Sequence, residues 1–136
     1  MFKKILLCSA LAILGALAIV AIQQPPAIAE PAPPIKRIPL QKFDVPGTNY
    51  ETVVAIAEIA PNVNVGHTHP GPESSYVLEG EVTLLIEGKP PQQLKAGGVF
   101  NIPPNTIHDA KTGPAGAKVL ATYIVEKGEP LASPAP

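Results

Sequence analysis

Two histidines stand one residue apart in "GHTHPGPESSYVLEG" (66–80), and a glutamate follows four positions after the second. Imidazole nitrogen is the commonest side-chain donor to transition metals, and carboxylate oxygen serves the same ions as a hard donor. On an extended strand residues i and i+2 share a face, so His67 and His69 can converge on one ion. Pro70-Gly71-Pro72 breaks the strand and can turn Glu73 back toward them. The third histidine, His108, follows a second break at Pro103-Pro104. Spacing leaves two readings open: a metal centre, or a solvated Pro-rich loop that carries histidines. An H-x-H pair does not separate them, and Glu73 and His108 count only if the fold brings them in.

To position these residues the chain offers short apolar runs divided by turn residues. Pro and Gly recur too often for an uninterrupted amphipathic helix. "ETVVAIAEIA" (51–60) stops at Pro61-Asn62. "SYVLEG" turns through Gly80 into "EVTLLIEGK", where Val82, Leu84 and Ile86 alternate onto one face. "VFNIPPN" is a short strand halted by Pro103-Pro104. "AKVLATYIVEK" (117–127) is apolar on both faces. Several short strands at this spacing predict an all-β sandwich or barrel. A strand apolar on both sides needs cover on both, from the loops of an opposite sheet or from a second copy in a homodimer.

The two ends read differently from the middle. Lys3 and Lys4 precede an apolar run from Ile5 to Ile22, and Ala27-Ile28-Ala29 supplies a small-x-small site. This order reads as a signal peptide over 1–29. The competing reading is an uncleaved anchor, since the run nearly reaches spanning length. The Ala-x-Ala site favours cleavage, which predicts an exported, periplasmic or secreted protein with no stable membrane anchoring. Residues 30–39, "EPAPPIKRIP", read as a Pro-rich linker, 40–127 as the folded domain, and 128–136 as a flexible tail. The only Cys (Cys8) and the only Met lie before residue 30, so a disulfide framework is excluded. Losing Lys3 and Lys4 moves the formal charge from −1 to −3. That balance predicts no nucleic-acid partner, which would require a basic patch.

Residues 61–112 resemble the two motifs of the cupin superfamily. Against G-x5-H-x-H-x3-E-x6-G the chain has Pro61 at the first Gly, then His67, His69, Glu73 and Gly80 in register. Against G-x5-P-x-G-x2-H-x3-N it has Gly97, Pro103 and His108, with Asn105 at the inner Gly and Thr112 at the final Asn. "HTHPGPE" and "YVLEGE" look like the small single-domain bacterial sub-group often labelled type 2. The resemblance implies a double-stranded β-helix (jelly-roll) barrel with a metal in its mouth, held by His67, His69, Glu73 and His108. The cofactor implied is one divalent transition metal, from Fe, Mn, Ni, Co, Cu or Zn. The three departures, Pro61, Asn105 and Thr112, fall at turn or framing positions.

Such a ligand set leaves about two positions open on a six-coordinate ion. That suits a metal-dependent, dioxygenase-like enzyme acting on a small organic substrate, with Glu73 as ligand or catalytic base. A non-catalytic module binding a metal or small ligand is the alternative, because the motifs offer no acid/base pair beyond the ligands. A sugar or keto-acid isomerase or lyase ranks last. It would need a base and an anion-binding Lys or Arg in the pocket, and the only arginine, Arg37, falls in the expected linker. Tyr76 and Tyr123 can line a pocket or pack, with packing favoured, Phe100 is expected in the core, and Asp109 on the surface.

Overall fold

A computed structural model describes residues 31–136, so the expected signal peptide at 1–29 lies outside the described residues. The described residues form eight strands in chain order: β1 (Ile35–Asp44), β2 (Tyr50–Ile59), β3 (Asn64–Thr68), β4 (Glu73–Ile86), β5 (Gln92–Lys95), β6 (Val99–Ile102), β7 (His108–Glu126) and β8 (Ser133–Pro134). No helix occurs among them. The Gly80 turn expected between two strands is instead a bulge inside the single long β4. Gly80 takes φ of +77°, and the β4–β7 register shifts on both sides of it. Between Val77 and Glu79 two steps of β4 stand against one of β7, and between Gly80 and Val82 two stand against five, so the strand bends without ending.

β7 is the frame. Its second half pairs with β2 on one side and with the first half of β4 on the other, while its first half pairs with β3 and with the second half of β4. All of these pairings are antiparallel. The alternation of β7 buries Ala117, Val119, Ala121, Tyr123 and Val125, which pack with Ala55, Ala57, Ile59, Val77 and Val82. Its other face is less covered than the composition suggested. Leu120 and Thr122 are half-buried and Ile124 is 41% exposed, so one apolar face suffices to hold the strand.

The all-β expectation stands, but the jelly-roll β-barrel does not. The ladder runs β1-β2-β7-β3-β8, with β4 branching from β7 and carrying β5 and β6. Among the described residues no pairing joins these outer strands, so the sheet does not close into a barrel. The outer strands show why. β5 and β6 have four residues each, and β8 has two. β1 contains Pro39, which has no N–H to donate, and its register slips between Pro39 and Gln41. Short, proline-marked strands are edges that end a sheet.

Two further expectations change. The second half of the expected linker is strand, since β1 begins at Ile35 and Ile35 packs against the core. The tail expected to fray is tied down: β8 pairs with Thr68 and His67, Ala135 N–H donates to Gly66 O at 3.1 Å, and Leu131 packs on the Tyr123 cluster. Neither segment has the strong alternation that marks a buried strand. Both are held by a partner distant in sequence.

The turn between β3 and β4 lies hard against β7. Ile124 N–H donates to Pro72 O at 3.2 Å. A Cβ at Gly71 would sit 1.8 Å from the carbonyl oxygen of Ile124, and backbone cannot yield that much. Gly71→Ala should therefore destabilise the fold by on the order of 2 kcal/mol or more, read as a lowered urea midpoint. An unchanged midpoint would mean the turn does not dock as described.

Candidate metal centre

The four sequence-predicted residues reach one place from different elements. His67 in β3 stands directly opposite His108 at the start of β7, and His108 also faces Ile86 of β4. Glu73 opens β4, delivered by the Pro70-Gly71-Pro72 turn. His69 lies one residue past β3, and its backbone carbonyl accepts the Asn105 N–H at 2.7 Å. Asn105 sits at φ of +55°, the left-handed region that asparagine tolerates in place of glycine. Thr112 also has a framing role: its hydroxyl donates to Ala60 O at 2.6 Å and its amide donates to Val63 O at 3.0 Å.

All four side chains are buried, His69 completely. One nitrogen from each imidazole lies within 4.8 Å of the others. Glu73 Oε2 is 2.7 Å from His69 Nε2 and 3.9 Å from His108 Nε2. The protons decide what this cluster wants. Nδ1 of His67 donates to Val65 O (3.1 Å), Nδ1 of His108 to Thr106 O (3.0 Å), and Nδ1 of His69 to Leu131 O (2.6 Å). A neutral imidazole that donates from Nδ1 carries a lone pair on Nε2. The Glu73 contact with His69 Nε2 is short, yet that buried nitrogen has no directed hydrogen-bond partner. Three imidazole nitrogens and a carboxylate therefore converge, and a cation displacing any proton held in the short His69–Glu73 contact would meet four donors. That is the donor set of a divalent transition metal, and a buried group of this kind is otherwise unfavourable.

The electrostatics agree. Burial pulls the His67 pKa down from 6.5 to about 4, and His108 next to it adds to the shift. His108 is also lowered, chiefly by burial. Both rings are thus held in the neutral form that a ligand needs. For Glu73 burial pushes upward, but the adjacent His69 ring and the Ser75 hydroxyl outweigh it and keep the carboxylate ionised.

Beside the ligands is a cavity of about 30 Å³, lined by His67, Glu73, His108, Tyr123 and Arg37 and otherwise mostly by aliphatic side chains and Phe100. It has room for a water or a ligand group of one or two heavy atoms. The residues alone do not place Arg37 here, and for Tyr123 they favour packing over lining a pocket. Tyr123 does pack in the core and lines the cavity as well: its ring centroid is 4.9 Å from that of His69 and its hydroxyl accepts from Arg37 Nε at 3.4 Å. Arg37 was set aside as linker, but it lies in β1 opposite Ala57 of β2. A charged residue between prolines gives no periodic signal, so only the strand pairing reveals where it goes. Asp109, next to His108, is half-buried and outside this cavity.

Residues 55–129, more than half of the chain, match the family described as the cupin domain. The chain belongs to the cupin family. Among solved structures this cupin is similar to an uncharacterised protein with a double-stranded β-helix domain from Klebsiella pneumoniae, at 18% identity and a TM-score of 0.57. That match covers 80% of this chain and 90% of the other. It is similar to the polyketide cyclase RemF from Streptomyces resistomycificus, at 23% identity and a TM-score of 0.52, covering 70% and 77%. It is also similar to the DMSP lyase DddQ from Ruegeria pomeroyi, at 23% identity and a TM-score of 0.55, over 60% of this chain. The chain spans only 42% of that lyase, and 44% of a second structure described for DMSP lyases. At these identities the likeness concerns the fold. No curated protein matches the sequence.

Two outcomes follow from the site. Between pH 6.5 and about 4 the unfolded chain protonates His67 while the folded chain does not. Unfolding then takes up a proton, so acid favours it. The metal-free protein should lose thermal stability as pH falls through that window, with Glu73 adding a loss only below 4.5. Melting followed by circular dichroism checks this, and a flat profile from 6.5 to 4 would contradict the desolvated neutral rings. Second, ending the chain at Pro130 removes the Leu131 carbonyl that orients His69. Zinc affinity by calorimetry should drop roughly 10- to 100-fold, the usual effect of losing a ligand's orienting partner.

Proposed function

We propose that this cupin is a metal-dependent enzyme acting on a small oxygen-bearing organic molecule. The observation that carries the reading is the convergence of three Nε2 atoms and the Glu73 carboxylate, with each Nδ1 turned outward to a backbone carbonyl. When bound, a divalent ion would supply Lewis-acid polarisation of a substrate oxygen. His67, His69 and His108 would hold it, with Glu73 as the fourth ligand. The largely aliphatic walls lower the local polarity and strengthen the charge interactions inside the cavity. Burial pushes the Tyr123 hydroxyl up to about 12, and the Glu73 carboxylate pushes the same way, so at neutral pH it keeps its proton. Tyr123 can therefore donate a hydrogen bond, or a proton, to an oxygen that gains negative charge.

A protonated Tyr123 and a guanidinium beside the ligands favour lyase or isomerase chemistry, because these groups stabilise charge developing on carbon-bound oxygen. They also count against a non-catalytic binding module, whose attraction was the lack of any acid beyond the ligands. Dioxygenase-like chemistry is the second reading, supported by an N/O ligand set with no thiolate. Turnover of candidate hydroxy and keto acids with and without oxygen separates the two, since a dioxygenase stops under anaerobic conditions.

Export is part of the proposal and is supported by Lys3, Lys4, the apolar run and Ala27-Ile28-Ala29. Among the described residues no helix is long and apolar enough to cross a membrane. The metal reading is tested first. His108→Ala should lower zinc or iron content of the purified protein at least about tenfold, by elemental analysis, and should abolish turnover. Unchanged metal content in this variant would remove the centre from the proposal.

A further inference from the structure

A second pocket, of about 210 Å³, lies on the outer side of the site, between Pro34 of the β1 approach and Ala132 to Pro134 of the tail. It shares Ile35, Arg37 and His67 with the inner cavity. Arg37 therefore stands at the junction, with the ligand cluster on one side and the outer pocket on the other. The inner cavity is too small for a whole organic molecule. A substrate that reaches the ligands from this side leaves most of its body in the outer pocket and passes Arg37.

The state of the guanidinium says what that substrate carries. A guanidinium is a permanent cation with donors only. Among the described residues no carboxylate lies within ion-pair distance of Arg37. Glu73, the carboxylate in the cavity, is directed at the imidazoles and Ser75 instead. Arg37 donates from Nε to Tyr123, a bond that orients the plane of the group and leaves the terminal nitrogens available. A fixed planar fork with free terminal donors matches the two oxygens of a carboxylate. The rest of the outer pocket is lined by Pro, Ile, Val, Gly and Ala with one serine, Ser133, besides His67. It has no lysine and no second arginine, as a phosphate with its greater charge would call for.

We infer that Arg37 anchors the carboxylate of a small monocarboxylate substrate, whose body fills the outer pocket while its reactive end enters the cavity beside His67. The second half of that statement rests on the metal-centre reading; the anchoring of a carboxylate does not.

Because Arg37 is the only arginine in the chain, its Nε–H gives a single arginine resonance in a nitrogen–proton correlation spectrum. The experiment titrates the full chain, zinc-loaded and metal-free, with propionate and with its neutral isostere propionamide. The Arg37 Nε–H signal should shift saturably with propionate and stay in place with propionamide. Arg37→Gln should weaken propionate binding about tenfold or more with zinc content unchanged, and Arg37→Lys should recover part of it, since charge without the fork remains. If zinc binds but propionate at tens of millimolar leaves the Arg37 signal unmoved, the anchor is wrong. So it is if propionamide moves the signal equally. If the signal responds but zinc does not bind, the anchor stands and the metal reading falls.

Discussion

Three imidazoles and a carboxylate share a buried space, and what makes that arrangement a site is where the protons are. Each Nδ1–H is committed to a backbone carbonyl, so each Nε2 faces inward beside Glu73. Burial enforces the same state by holding His67 and His108 neutral. The cluster is thus tuned for a cation and poorly arranged for anything else. Two of the orienting carbonyls, Val65 and Thr106, come from two residues upstream on the same strand or its approach. The third, Leu131, comes from the far end of the chain. The tail, which looks dispensable from composition, completes the ligand whose ring is most buried.

The sheet exists to hold that geometry. β7 puts His108 opposite His67 at one end and Tyr123 opposite Glu73 further along, so one long strand positions both the histidine cluster and the tyrosine beside it. Gly71 lets the intervening turn press against β7 and deliver Glu73 from the other side. An open sheet is enough for this. The ligands depend on the β3–β7 and β4–β7 ladders, and no closure between outer strands is required to bring them together. β1 adds what the motifs lack, since it lays Ile35 and Arg37 over the mouth of the cavity.

Much of this was legible in the residues. The spacing of His67, His69 and Glu73 around a Pro-Gly-Pro break left a metal centre and a solvated loop both open, and the resemblance to the two cupin motifs is what joined these residues to the distant His108. The alternation in 51–60, 81–86 and 117–127 was enough to mark an all-β chain. Asn105 at a position where the motif has glycine anticipated its left-handed backbone. Each of these signals is local, arising from side-chain chemistry, periodicity of two, or a backbone preference readable in a few residues.

The sequence by itself determined the candidate donor residues, through their match to the family motifs, together with the strand character and the turn that brings Glu73 back toward the histidines. Tertiary structure decided the rest. Whether the sheet closes depends on hydrogen bonds between edge strands that no local pattern encodes, and the edges here are too short or too proline-marked to pair. Whether Arg37 is a linker charge or a pocket charge depends on its strand finding β2. Whether residues 131–135 fray or lock His69 depends on a pairing with β3 more than 60 residues away. Local chemistry is written residue by residue, but long-range pairing is a property of the whole chain's packing, and that is where the second half of this site comes from.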